Sequence, residues 1–159
     1  MADRGVFPKR MATTPSMTRI DFYTGAADRQ LVACQIAAKA LGRGQRVLIY
    51  TDSPLASDEI DRKLWSFQQL SFLPHCRVND PLAGETPIVI DHLGKNLPHA
   101  EILINLHSEC PPFFAEFERV IEIVGYERQE TDQARQRFRH YRASGYPPET
   151  IALGQARNN

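Results

Sequence analysis

The chain has 159 residues, 42% of them hydrophobic and 24% charged, with 19 Lys and Arg against 19 Asp and Glu. This composition suits one ordinary globular domain, long enough to bury a core without disulfide or metal staples. The cancelled charge excludes a broadly basic nucleic-acid coat, and the apolar content excludes a long disordered chain.

Residues 1–17 are polar and basic, hold Pro8 and Pro15, and lack both periodicity and the apolar stretch of a secretory signal. They are expected to form a disordered extension, with Met11 and Met17 as alternative starts. Ile20-Asp21-Phe22-Tyr23 predicts a first short strand. Asp28 caps a helix whose wide apolar face carries Leu31, Val32, Cys34, Ile36, Ala37, Ala40 and Leu41, and which Gly42 and Gly44 stop. Arg46 to Tyr50 is a continuous apolar strand, as expected when both faces are buried. The three segments have the layout of a βαβ unit.

Ser53-Pro54 opens a second helix, running past Ile60 and Leu64 to Trp65. Residues 66–87 are broken by Pro74, Pro81, Gly84 and Pro87 and predict irregular chain. Ile88-Val89-Ile90 and Ile102-Leu103-Ile104 are further buried strands, Phe113 to Phe117 a short helix, and Val120 to Val124 the last clear strand. A helix from about Glu127 to Ser144 ends at Gly145 and Pro147-Pro148, leaving 148–159 as a loosely held tail. Strands alternating with helices predict a single α/β domain over 18–147, with a mainly parallel, Rossmann-like sheet covered on both faces. No repeat or low-complexity tract interrupts it.

Neither glycine turn, TGAAD or LGRGQ, matches a dinucleotide or P-loop fingerprint, and no GxSxG elbow occurs. Cys34 lies among alanines and reads as a small hydrophobe. His75 and His107 lack a partner at fixed spacing, and Asp91-His92 at a strand end is a weak signal alone. No ligand spacing argues for a metal, and no cofactor is implied. The three cysteines, Cys34, Cys76 and Cys110, fit reduced thiols of a cytoplasmic protein, and no window approaches a membrane span. No catalytic site of the chain's own is predicted.

The last helix is more informative. Glu127, Glu130 and Asp132 occupy its first turns, and residues 133–145 hold Arg135, Arg137, Arg139 and Arg142 with no acid. Elsewhere fifteen cationic side chains face nineteen acidic ones, so the body of the chain carries −4. Complementarity to the helix macrodipole explains the polarity, at roughly 0.3–1 kcal/mol per charge. It does not explain why Arg135, Phe138, Arg139 and Arg142 share one stripe at i, i+3, i+4 and i+7. Guanidinium groups around an aromatic suit an acidic peptide with an apolar anchor, or a stacked base. A second stripe, Ala134, Arg137 and Tyr141, is also partly aromatic, so residue types alone leave a core role and a binding role open for either ring.

Several stretches together carry a resemblance: IDFY at 20–23, QRVLIY at 45–50, LW at 64–65, SFLPH at 71–75, PIVI at 87–90, EILINL at 101–106, then VGYE and ARQRFRHYRASG. In order and coverage, from Met17 to about Pro147, the chain resembles the chi-subunit family of bacterial DNA polymerase III holoenzyme. The resemblance implies a non-catalytic adaptor of the clamp-loader assembly at the replication fork. It would link the psi subunit to the acidic, phenylalanine-terminated tail of single-stranded DNA-binding protein. Carried over by position, the tail site is Val124, Arg135, Phe138, Arg139 and Arg142, with Val124 as apolar floor. The psi contact falls on Trp65 and Phe72, a surface that some members offer to a helicase-like partner. A sole tryptophan also often anchors a core.

Phe138 stands where well-known members have tyrosine, Thr131 where they have lysine, and Gly125 where they have proline. The lost lysine implies tail binding that persists but is weaker. Two alternatives remain: direct binding of single-stranded nucleic acid through the arginine stripe, and a diverged nucleotide enzyme of the same fold.

Overall fold

The structure, a computed structural model, describes residues 17–67 and 73–154. Seven strands form one sheet: β1 (Arg19–Thr24), β2 (Val47–Tyr50), β3 (His75–Arg77), β4 (Ile88–Asp91), β5 (Ile102–Asn105), β6 (Arg119–Val124) and β7 (Glu149–Ala152). The helices are α1 (Arg29–Gly42), α2 (Pro54–Ser66) and α3 (Arg128–Ala143). The strand order is β3-β4-β2-β5-β6-β1-β7, and every pairing is parallel. The expected α/β fold with a parallel, Rossmann-like sheet is the one observed.

Local chemistry sets the element ends. The Asp28 carboxylate accepts the Leu31 N–H at 3.1 Å and caps α1, and Ser53 Oγ accepts the Ala56 N–H at 3.1 Å with Pro54 at the first helical position of α2. Gly44, with φ at +74°, turns the chain after α1 into β2.

Strand alternation divides the core into two layers. Val47, Ile49, Ile88, Ile90, Ile102, Ile104, Ile121 and Ile123 point to the face covered by α1 and α2. Ile20, Phe22, Leu48, Val89, Leu103, Val120 and Val124 point to the other, covered by α3 and the segment 113–117. Side chains such as Leu48, Ile49 and Leu103 are fully buried, each contributing about 1.5–3 kcal/mol relative to an exposed position. Helices α1 and α2 join strands that progress toward β3, whereas α3 leads outward to β7. Right-handed crossovers place those two sets on opposite faces, as observed.

Three sequence expectations change. The first β-α-β segment is not a unit of neighbours, because β5 and β6 lie between β1 and β2. Residues 75–77, inside the stretch expected to be irregular, form edge strand β3 beside β4. Residues 149–152, inside the expected loose tail, form β7 beside β1. The N-terminal extension lies outside the described residues apart from Met17.

Candidate functional site

Helix α3 is positioned by a polar cluster inside the core. Glu122, in the middle of β6, is fully buried, as are Asn105 and Tyr141, and Arg137 is 5% exposed. Arg137 Nε donates to Glu122 Oε1 at 2.9 Å, while Tyr141 Oη and Asn105 Nδ2 donate to Glu122 Oε2 at 2.6 and 2.8 Å. Arg137 also reaches the Ser108 carbonyl at 2.9 Å. Burial pushes the Glu122 carboxyl upward, opposed by the Arg137 charge and the three hydrogen bonds. Both carboxylate oxygens are thus engaged, as a buried charge requires. The stripe of Ala134, Arg137 and Tyr141 is therefore the core stripe of the helix.

That choice turns the other stripe outward. Arg135, Arg139 and Arg142 are exposed. Phe138 is half-buried, its ring centroid 5.2 Å from that of Phe22 on β1. Val124 is buried at the end of β6 and belongs to the same apolar layer as Phe138. Arg135 Nη1 lies 3.1 Å from Asp132 Oδ1, an exposed pair worth little by itself. The result is an apolar seat flanked by cations that the core does not use. Thr131, where the resemblance calls for lysine, donates its hydroxyl to the Arg128 carbonyl at 2.9 Å.

Trp65 sits at the end of α2 and is 61% exposed, its ring edge-on to His75 with centroids 5.0 Å apart. It is not a core anchor. Phe72 lies outside the described residues.

The remaining polar candidates have structural partners. His75 lies between the Leu73 carbonyl at 2.6 Å and Asp61 Oδ1 at 2.7 Å. His107 stacks on Tyr50, with ring centroids 5.2 Å apart and planes 12° from parallel. The Asp91 carboxylate accepts the Leu93 and Gly94 N–H groups. Cys34 is fully buried, which pushes its thiol up to about 11. Among the described residues no three His, Cys, Asp or Glu side chains are grouped to hold a metal. No helix there is long and apolar enough to cross a membrane.

The carboxyl ends of β2, β5 and β6, where an α/β sheet commonly binds ligands, frame a cleft of about 210 Å3. Its walls mix Arg29 and Arg137 with Asp52, Glu127 and Glu130, not the uniform positive field a phosphate calls for.

Sequence comparison decides the family. Residues 17–149 match the profile described as "DNA polymerase III chi subunit, HolC". The chain belongs to the DNA polymerase III chi subunit family. It is 39% identical over 138 residues to the DNA polymerase III subunit chi of Pseudomonas aeruginosa, covering 82% of this chain and 94% of that one. Against the chi subunit of Haemophilus influenzae it is 36% identical over 124 residues, covering 77% and 86%. Against that of Escherichia coli it is 33% identical over 122 residues, covering 76% and 82%. A chi-family chain has an accessory role in DNA replication as a subunit of DNA polymerase III.

The buried Glu122–Arg137 pair escaped the sequence reading. Its signal was a single acid within the apolar run Val120-Ile121-Glu122-Ile123-Val124, which demands a buried cationic or donor partner.

Proposed function

We propose that this chi-family chain is a non-catalytic adaptor of the polymerase holoenzyme, holding the acidic tail of single-stranded DNA-binding protein on α3 and the psi subunit of the clamp loader at Trp65 and Phe72. It would act in the cytoplasm at the replication fork, touching DNA mainly through its partners. One observation carries this reading: Arg135, Arg139 and Arg142 surround half-buried Phe138 on a helix face that the core leaves outward. Guanidinium groups bind carboxylates in a planar fork, and the Phe138–Val124 layer offers the terminal phenyl ring an apolar seat. Phe138 is half-buried against Phe22, which favours an inserted phenylalanine over a base stacked on a free ring face. The exposed Trp65 is the type of residue that anchors interfaces.

A fluorescence titration with the tail peptide tests the site. Arg139→Ala is expected to weaken binding about tenfold, since a charge-assisted contact is worth roughly 1.5–3 kcal/mol and this one is partly exposed. Binding should also weaken with salt. Unchanged affinity after Arg139→Ala, or after removal of the terminal Phe from the peptide, rejects the assignment. Comparable affinity for an oligonucleotide alone would favour the nucleic-acid alternative.

A further inference from the structure

On the face of the sheet opposite α3, a groove of about 620 Å3 runs the length of α1. Tyr23 and Ile102 line it from the sheet, and Leu31, Val32 and Ile36 line it from the helix. Its floor is the edge of the core layer, against which Tyr23, Val32, Ile36 and Leu153 pack, and the arginine stripe on the opposite face does not reach it. Along α1, Ala33, Cys34, Ala37 and Ala40 are buried, Val32 and Ile36 pack on the core yet stay half-buried, and Leu31 is 39% exposed. The layers explain the gap. Helices α1 and α2 pack mainly over β2, β3, β4 and β6, and α3 lies on the other side. On the α1 face, Tyr23 of β1 and its neighbour Ile151 of β7 stay half-buried. Parallel sheets are normally covered on both faces, and the usual cover is a helix.

Charge identifies the cover. The lining side chains Lys39, Arg43 and Arg119 are cationic, and the only lining acid among the described residues, Asp28, is paired with Lys63 at 2.9 Å. Beneath the groove, fully buried Asp21 is shared by Arg119 at 2.9 Å and Arg19 at 3.1 Å, so one carboxylate serves two guanidinium groups. The segments outside the described residues are not net acidic, and residues 68–72 carry no charged side chain. Residues 1–16 carry Arg4, Lys9 and Arg10 against Asp3, and residues 155–159 carry Arg157 with no acidic side chain. Tyr126, 75% exposed at one mouth, is available as an interface anchor.

We propose that this groove receives an acidic amphipathic helix of a partner protein, lying beside α1 as the missing layer over β1 and β7. Its apolar stripe rests on Leu31, Ile36 and Tyr23, and its carboxylates face Lys39 and Arg43. The site is on the opposite face from the α3 stripe, so the proposal stands apart from tail binding and both sites can be filled together.

The test places a benzophenone amino acid at exposed Gln35, a lining residue, in the full-length chain within the cells that make it. After irradiation, mass spectrometry reads the sequence of the cross-linked segment. The expected product is a segment of another protein, net negative, with apolar residues at helical spacing. Cross-linking should fall at least tenfold in both the Lys39→Glu/Arg43→Glu and Lys39→Gln/Arg43→Gln backgrounds. The same segment, synthesised as a peptide, should bind the purified wild-type chain and lose at least tenfold in affinity to either double variant. Both positions are exposed, and an unchanged melting curve verifies folding. Cross-links to residues 1–16 or 155–159, to a second copy of the chain or to a basic segment overturn the proposal. So does no cross-link, or one indifferent to the charge changes. An effect of Arg139→Ala on this binding would also overturn the claim of a separate site.

Discussion

Glu122 shows how one buried charge governs the rest of α3. Its oxygens meet Arg137, Tyr141 and Asn105, which tie β6 to α3 and to the end of β5. Such a pair adds little net stability against a well-packed apolar replacement, but losing one partner leaves the other charge stranded. Glu122→Leu is therefore expected to cost about 3–5 kcal/mol, because Arg137 stays buried without a counter-charge. Tyr141→Phe keeps the ring and removes one donor, for roughly 1–3 kcal/mol. Urea denaturation checks both, and near-wild-type stability of Glu122→Leu would show that Arg137 escapes to solvent. The sequence displayed Glu122 as an oddity in an apolar strand. It did not display the partner, since Arg137 looked like any other member of the arginine cluster.

At the scale of elements, caps and ends were legible because they depend on neighbours within a few residues. Asp28 shows how far this goes. The Lys63 ammonium first, and the Leu31 N–H next, hold its carboxyl below the ordinary carboxylate range. A lowered folded-state value means the contribution is complete above the unfolded value of about 3.9 and is lost as pH falls through the folded value. Asp28→Ala is expected to cost roughly 0.5–2 kcal/mol at neutral pH as a lost cap, with the partly exposed ion pair adding little. The gap between wild type and variant should narrow below about pH 4. Denaturation at pH 7, 5 and 3 measures it, and a gap constant across the three would contradict the linkage. The missed elements, β3 and β7, are short edge strands with the sequences HCR and ETIA. Each is partnered on one side in the sheet order, so neither needs the apolar run that marked β2 or β5.

The whole molecule separates its proposed partners. Phe138 of the α3 stripe packs on Phe22 of β1, while Trp65 stands edge-on to His75 of β3. Those strands are five positions apart in the sheet, about 24 Å at the usual spacing of about 4.8 Å. That exceeds the Debye length of about 8 Å at physiological salt, and among the described residues no ion pair links the two surfaces. Trp65→Ala is therefore expected to leave tail-peptide affinity within about twofold, and Arg139→Ala to leave psi binding equally unaffected. Titrations with each partner, alone and with the other bound, measure this. A change beyond fivefold in either direction would mean the surfaces are coupled.

The neutral sum of charges, the α/β class, the helix caps and the i, i+3, i+4, i+7 stripe were all determined by the sequence itself. Each follows from composition or from the fixed periods of helix and strand, which act over a few residues. The strand order, the edge strands, the exposure of Trp65 and the choice of which α3 stripe faces inward were decided only by tertiary structure. Those depend on residues far apart in the chain, such as Arg19 beside Arg119 or Glu122 beneath Arg137. Local patterning leaves two faces of a helix equally plausible; a buried carboxylate on another element selects between them.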